Sequence, residues 1–288
     1  MDDDEILACV QEAVQRGMGT VVLQAGEDPG LTRERVASLV RRIKQETELA
    51  VTLSLGERSL EDLRAWRGAG ADRYLLRFET SSPELYRRIH PSRAPGAPDR
   101  LEILGWLKEL GYEVGSGVMV GIPGQTREDL ARDLKLFQEL DLDMIGLGPF
   151  IPHPETPLGA SAGHVGAATA QVPASAEMAC TMMALARLLC PRSNIPATTA
   201  LATLDGTPGL AQGLRSGANV IMPDLTPIHY RRLYEIYPSR VRPGEGGAEP
   251  HEGVLSLIRA MERTPGQGRG DSLVWQVRHQ DEMKESRA

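Results

Sequence analysis

Short apolar runs alternate with amphipathic stretches along this chain. The runs fall at 20–24, 50–54, 73–78, from 113, at 143–147, near 194–198 and at 219–222. Each reads as a continuous apolar strand rather than an alternating one, the pattern of strands buried on both faces. Between them, apolar residues recur at helical spacing. Ile6, Val10 and Val14 mark an opening helix that Gly17 ends. Further helices are expected at 32–46, 60–69, 99–110, 126–140, 175–189, 208–216 and near 254–263. In EVGSGVMVGIPGQTREDL, from Glu113 to Leu130, a β-branched strand meets a glycine-rich turn and then a helix start. Thr126 suits the N-cap, and Glu128 and Asp129 suit the first turn.

Polar and glycine-rich material follows the strands, whereas the helix-to-strand joints are short. This asymmetry is that of a parallel α/β fold, a TIM-type (β/α)8 barrel with its site on the strand C-terminal face. Seven strands are visible, and the chain opens on a helix that a strand should precede. The count favours an eight-stranded barrel without its strand 1 over a seven-stranded or open sheet, because closure removes sheet edges. The expected division is a barrel over 1–240 and a C-terminal helix with a polar tail over 241–288.

Composition narrows the function. With 41% hydrophobic residues the chain can bury a sizeable core, and a net charge of −7 argues against a nucleic-acid partner. No apolar run approaches the ~20 residues of a membrane span. The acidic start, MDDDEI, is unlike a signal peptide, so a cytoplasmic protein is expected. Cys9, Cys180 and Cys190 lack any CxxC or CxxxCxxC spacing, so no metal ligands are assigned. Lys44, Lys108 and Lys135 fall in expected helices and Lys284 in the tail, which counts against Schiff-base chemistry.

Ligand-binding groups should sit just beyond the strands. That selects Gln24, Gly26, Glu27 and Asp28; Thr52, Ser54 and Glu57; Arg77, Glu79 and Thr80; Ser116, Met119 and Gln125; His153 and Glu155; Thr198 and Thr199; and Met222, Thr226 and Tyr230. Arg77 and Glu79 are two apart and can share a face. An arginine binds a carboxylate bidentately and a glutamate binds an amino group, so the pair fits an amino-acid-like ligand. The competing reading pairs the two with each other. Similarly, His153 between two prolines can merely shape its loop.

VVLQAGEDP, VTLSLGE, AGADRYLLRFET, LKELGYEVGSGVMVGIPGQT, DMIGLGPFIPHPETPL, SNIPATTAL and GANVIMPDLTPIHYRRLYEIYP together resemble the radical S-adenosyl-L-methionine (SAM) maturases of FeFe-hydrogenase, the HydE family. GIPGQT is general to radical SAM proteins, whereas GPFIPHPETPL with IPATTAL and NVIMP is more specific. The resemblance implies a 4Fe-4S cluster and SAM as cofactors. It also implies a 5′-deoxyadenosyl radical acting on a small-molecule organometallic substrate, a cysteine-bound iron carbonyl cyanide precursor, with the other hydrogenase maturases as possible partners. Carried over, Gln24, Gly26, Glu27, Thr52, Glu79, Arg100 and Tyr230 match SAM-binding positions. Arg77, Thr198, Thr199 and Met222 match substrate-binding ones. The family's CxxxCxxC loop has no counterpart here, so the chain as written is expected to be inactive in SAM cleavage. Alternatives are a methylornithine synthase- or biotin synthase-like enzyme and a non-catalytic ligand-binding barrel.

Overall fold

The structure, a computed structural model, describes residues 1–90, 96–161, 170–231, 233, 237 and 250–285. Most of the Gly/Ala-rich segment at 159–170, expected to be mobile, and the start of the tail at 241–249 lie outside the described residues. Five strands form one parallel sheet in the order β1 (Thr20–Gln24), β2 (Ala50–Ser54), β3 (Arg73–Leu75), β4 (Glu113–Val120) and β5 (Met144–Pro149). The helices are α1 (Asp3–Gln15), α2 (Arg33–Glu46), α3 (Leu60–Gly68), α4 (Pro83–Ile89), α5 (Arg100–Glu109), α6 (Arg127–Glu139), α7 (Pro157–Ser161), α8 (Ala176–Leu189), α9 (Thr199–Arg215), α10 (Ile228–Arg231), α11 (Pro250–Ala260) and α12 (Leu273–Glu285).

Local chemistry explains most of the helix starts. Thr32, Ser59, Ser82, Asp99, Thr126 and Ser175 each accept a backbone N–H with the side chain at the N-cap. Asp2 with Glu5 and Thr126 with Asp129 complete capping boxes. The α4 helix was not expected; Ser82 caps it and Pro83 opens it. The α9 helix starts nine residues earlier than expected, at 199 rather than 208, and breaks at Gly206 (φ 61°) before Pro208. Beneath the helices, Trp66, Tyr74, Tyr112 and Phe137 are the largest fully buried side chains. Trp66 Nε1 donates to the Arg33 carbonyl (3.0 Å) and the Tyr112 hydroxyl to that of Leu63 (2.7 Å), so their polar ends are satisfied.

Three expected strands are shorter than the apolar runs. The sixth and seventh are reduced to single parallel bridges, Met144 with Asn194 and Pro196 with Val220. Pro196 has no N–H to give a ladder. The Asn219 side chain takes the Ile195 N–H instead (2.7 Å). The third strand ends at Leu75 rather than 78 because of a bulge. The Leu76 N–H bonds Gly115 and the Glu79 N–H bonds Gly117, so three steps on one chain oppose two on the other. The Ser116 hydroxyl fills the gap, donating to the Leu76 carbonyl (2.8 Å) and accepting the Phe78 N–H (3.3 Å).

The two ends of the sheet differ sharply. At the strand starts, Arg73 and Glu113 are paired in register and bonded at 2.5 Å, both almost fully buried. Residues 269–278 close over them. Arg73 Nη2 donates to the Arg269 carbonyl (2.9 Å) and to Asp271 (2.6 Å). The Ser272 N–H donates to Glu113 (2.6 Å), and Arg278 pairs with Asp143 (2.5 Å). Asn194 reaches the Gly270 carbonyl (2.9 Å). Burial pushes the Glu113 carboxyl upward against the pull of Arg73. This polar floor and α12 were not expected from the sequence.

At the opposite end, Asp133 of α6 accepts the Ser81 N–H (2.6 Å) and so fixes the turn beyond Glu79. Burial pushes its carboxyl up to about 6, only partly offset by the Ser81 hydrogen bonds.

Two outcomes follow from these buried groups. Glu113→Ala takes the register partner from Arg73, leaving it Asp271, and orphans the Ser272 N–H; it should cost about 3 kcal/mol in denaturant unfolding, with Arg73→Met/Glu113→Leu less damaging than Glu113→Ala. A double variant as unstable as the sum of its singles would contradict this. For Asp133, the folded state holds the proton above the ordinary carboxylate range, so its contribution is full below about pH 4 and lost as pH rises through about 6. Relative to Asp133→Asn, the wild type should lose about 3 kcal/mol of stability between pH 4 and 7. Denaturation midpoints across that range check it, and a constant difference between the two proteins would refute it.

Candidate functional site

The register places the polar strand-end residues on one face of the sheet. Gln24 pairs with Ser54, Val22 with Thr52, and Thr52 with Arg73. Further along, Gly115 pairs with Met144, Gly117 with Gly146, and Met119 with Gly148. The opposite face of β4 and β5 carries the fully buried Val114, Val118, Ile145 and Leu147, with α6 and α8 packed against these strands. Gly115, Gly117, Gly146 and Gly148 thin the side chains on the first face along β4 and β5, where Met144 and Met119 stand opposite them. At Gly148, an added Cβ would lie 3.1 Å from Thr198 Oγ1.

The β3 bulge organises the centre. Arg77 lies within it, and its Nη2 donates to the Val118 carbonyl (2.6 Å). The same nitrogen lies 3.1 Å from Glu79 Oε2, a contact without hydrogen-bond alignment. Among the described residues, Arg77 Nε and Glu79 Oε2 are buried with no hydrogen-bond partner. Glu79 has φ 64°, in the left-handed region. A non-glycine residue held there is strained, and such strain gathers at ligand sites. The sequence-level pairing of Arg77 with Glu79 therefore exists, but it leaves one donor and one acceptor unused.

Thr198 repeats that pattern. It occupies the N-cap of α9 without making a cap hydrogen bond, and its buried hydroxyl has no partner among the described residues. Thr199 follows as the first residue of the helix. Arg100, at the start of α5, donates through Nη1 to the Arg77 carbonyl (2.6 Å) and through Nε to Glu57 (2.8 Å). Glu27, in the loop beyond β1, accepts the Glu57 N–H (2.9 Å). Gly26 beside it is exposed. Glu27, Glu57, Arg100, Arg77 and Glu79 thus form one connected set.

The remaining residues are placed differently. Gln24 is exposed at the end of β1, and Thr52 is buried on β2. Met222 is 42% exposed, just past the last bridge. Tyr230 turns toward α1, its hydroxyl donating to Glu5 (2.7 Å). Gln125 is engaged within its own turn, accepting the Gly121 N–H (2.6 Å) and donating to the Met119 carbonyl (3.1 Å). His153 accepts the Glu155 N–H (3.2 Å) within its loop. Sequence reasoning missed Tyr86 and His90, which sit on and just after the unexpected α4; the Ser82–Pro83 helix start was the available signal.

Comparison with known proteins bears on the family and the fold. The model of the Radical SAM superfamily matches residues 1–137. The FeFe-hydrogenase maturase subunit HydE of Thermotoga maritima is 45% identical over 271 residues, covering 94% of this chain and 74% of that protein. The 3-methylornithine synthase of Methanosarcina acetivorans is 28% identical over 207 residues, covering 71% of this chain and 55% of that protein. The crystal structure of methylornithine synthase superposes with a TM-score of 0.69 at 25% identity, covering 90% of this chain and 73% of that chain. On this identity and coverage, the chain belongs to the HydE family of FeFe-hydrogenase maturases, within the radical SAM superfamily.

Proposed function

We propose that this chain binds SAM and an amino-acid-like substrate on the strand C-terminal face, in the maturation of the FeFe-hydrogenase active-site cluster. The carrying observation is that Arg77 Nε, Glu79 Oε2 and Thr198 Oγ1, three of the six such buried atoms among the described residues, make no hydrogen bond, Glu79 Oε2 having only its ion pair with Arg77. Leaving such atoms unmade costs free energy unless a ligand meets them. A donor guanidinium, an acceptor carboxylate and a hydroxyl together match a carboxylate and an amine.

Members of this family use SAM and a 4Fe-4S cluster. The described residues do not fit the cluster. Among them, no group of three or more His, Cys, Asp or Glu could hold a metal ion, and Cys9 lies on α1 while Cys180 lies on α8 and Cys190 at its end. The described residues suit the amino-acid portion of SAM, with Glu79 Oε2 able to accept from an ammonium, Gln24 and Thr52 on β1 and β2, Gly26 and Glu27 in the loop beyond β1, and Arg100 at the start of α5. Tyr230 stands apart from this set, and joining it would require its hydroxyl to give up Glu5. In this family the cluster would give one electron to SAM, breaking its S–C5′ bond to methionine and a 5′-deoxyadenosyl radical.

The substrate assigned is a cysteine-bound iron carbonyl cyanide precursor, handed on to the other hydrogenase maturases in the cytoplasm. Arg77 holds its carboxylate in a charge-assisted pair, Thr198 and Thr199 add hydroxyls, and Met222 lines the mouth. A net charge of −7 accords with a small-molecule rather than a nucleic-acid partner. No described helix is long and apolar enough to cross a membrane. The 3-methylornithine synthases share the fold, and an amino-acid substrate of that kind is the second reading, favoured by the same trio of polar atoms.

Calorimetric titration with l-cysteine and with l-cysteinamide tests the carboxylate assignment. The wild type should prefer the carboxylate by about tenfold, the worth of a charge-assisted hydrogen bond. Arg77→Ala and Thr198→Val should each reduce that preference while leaving the amide's affinity unchanged. A preference that survives Arg77→Ala would sink the assignment.

A further inference from the structure

The connected set beside the site has a centre that the binding assignments leave unused. Glu57 stands in the loop beyond β2. Its Oε1 accepts Arg100 Nε (2.8 Å) and the Tyr86 hydroxyl (3.3 Å), and lies 3.5 Å from His90 Nε2. Its own N–H is held by Glu27. The preceding Gly56 has φ +79°, which favours glycine, and a Cβ there would lie 2.5 Å from Glu27 Oε1, so a side chain would have to displace the Glu27 carboxylate from the Glu57 N–H. The Gly56 carbonyl accepts the buried Tyr74 hydroxyl (2.9 Å), which ties this turn to the core.

Arg100 is fixed from three sides. Besides Glu57, its Nη1 donates to the Arg77 carbonyl, and its Nη2 lies 2.6 Å from His90 Nε2. The guanidinium also lies 5.9 Å from the centre of the Tyr86 ring, which stacks on His90 at 4.8 Å. The Arg77 carbonyl belongs to the β3 bulge, and Arg100 satisfies it. Arg100 is therefore the brace of the segment that aims Arg77 and strains Glu79. Removing the Glu57 carboxylate would release Arg100 from the loop beyond β2 while its contacts with the Arg77 carbonyl and His90 stay.

We propose that Glu57 is a positioning residue that sets Arg100 for SAM and, through the Arg77 carbonyl, couples the SAM side of the site to the substrate side. Tyr86 and His90 support it by fixing the carboxylate and the guanidinium. This rests on the reading of Arg100 as a SAM-binding residue. The geometry asks for a side chain of glutamate length with an acceptor oxygen at its end. A shorter acid keeps the charge but retracts it from Arg100.

Calorimetric titration of the full chain with SAM tests this. Glu57→Ala and Arg100→Ala should each weaken binding by about tenfold, and the double variant no more than Arg100→Ala alone, because the two act as one unit. Glu57→Gln should bind within about threefold of wild type and better than Glu57→Asp, since reach outweighs charge here. Thermal unfolding of each variant separates binding loss from misfolding. Should Glu57→Ala fail to unfold cooperatively, the Gln-over-Asp order carries the test. Wild-type affinity in Glu57→Ala, losses that simply add in the double variant, or Asp binding better than Gln would overturn the role of Glu57 while leaving the SAM assignment standing. An absence of SAM binding by the wild-type chain would overturn both.

Discussion

The buried ion pair between Arg73 and Glu113 is the constraint on which the sheet depends. Two charges at the inner start of β3 and β4 must be paired and hydrogen-bonded or the strands cannot lie together. The chain meets that demand by bringing residues 269–278 beneath the sheet, where Asp271, Ser272 and the Arg269 carbonyl complete the shell. Because the floor is sealed by polar groups already satisfied, ligand chemistry is confined to the other end of the strands. The same asymmetry governs parallel barrels in general, with stability at the strand starts and function at the strand ends.

At the functional end the logic reverses. The β3 bulge adds one residue, and the Ser116 hydroxyl repairs the ladder on one side while Arg100 repairs it on the other. The Leu76 and Arg77 carbonyls are thus satisfied, whereas Arg77 Nε, Glu79 Oε2 and Thr198 Oγ1 are among the buried side-chain atoms that make no hydrogen bond among the described residues. A protein that caps Thr32, Ser59 and Ser175 helices with side-chain hydrogen bonds leaves Thr198 without one. That contrast is stronger evidence for a reserved hydroxyl than the threonine alone.

Much of this was legible in the sequence because it depends on neighbours along the chain. The parallel sheet followed from continuous apolar runs, the Thr126 cap from its acidic first turn, and the candidate face from the polar strand ends. The Arg77–Glu79 proximity followed from two-residue spacing, although the bulge that produces its geometry did not. What stayed hidden depends on contacts between distant segments. No local pattern announces that Ser116 will replace a ladder bond, that Asn219 will stand in for a strand partner beside Pro196, or that Arg269 will cover Arg73. The α4 helix was obscured by its shortness. His90 and Tyr86 drew no notice because their significance comes only from Arg100, which the resemblance had marked for SAM without showing what holds it.

The floor also has a consequence for how the chain matures on the ribosome. Arg73 finds the Arg269 carbonyl and Asp271 at sequence separations of 196 and 198 residues, and Thr20 reaches Arg269 across 249. These are pairings of high contact order, which form late and slow the final step of folding. Until residues 269–278 emerge, Glu113 and Asp143 sit at the open base of a nascent sheet with part of their charge uncompensated. A stretch synthesised 196 residues or more after Arg73 is thus the one that closes the base of the sheet. A nascent sheet in that state is the species a chaperone would meet.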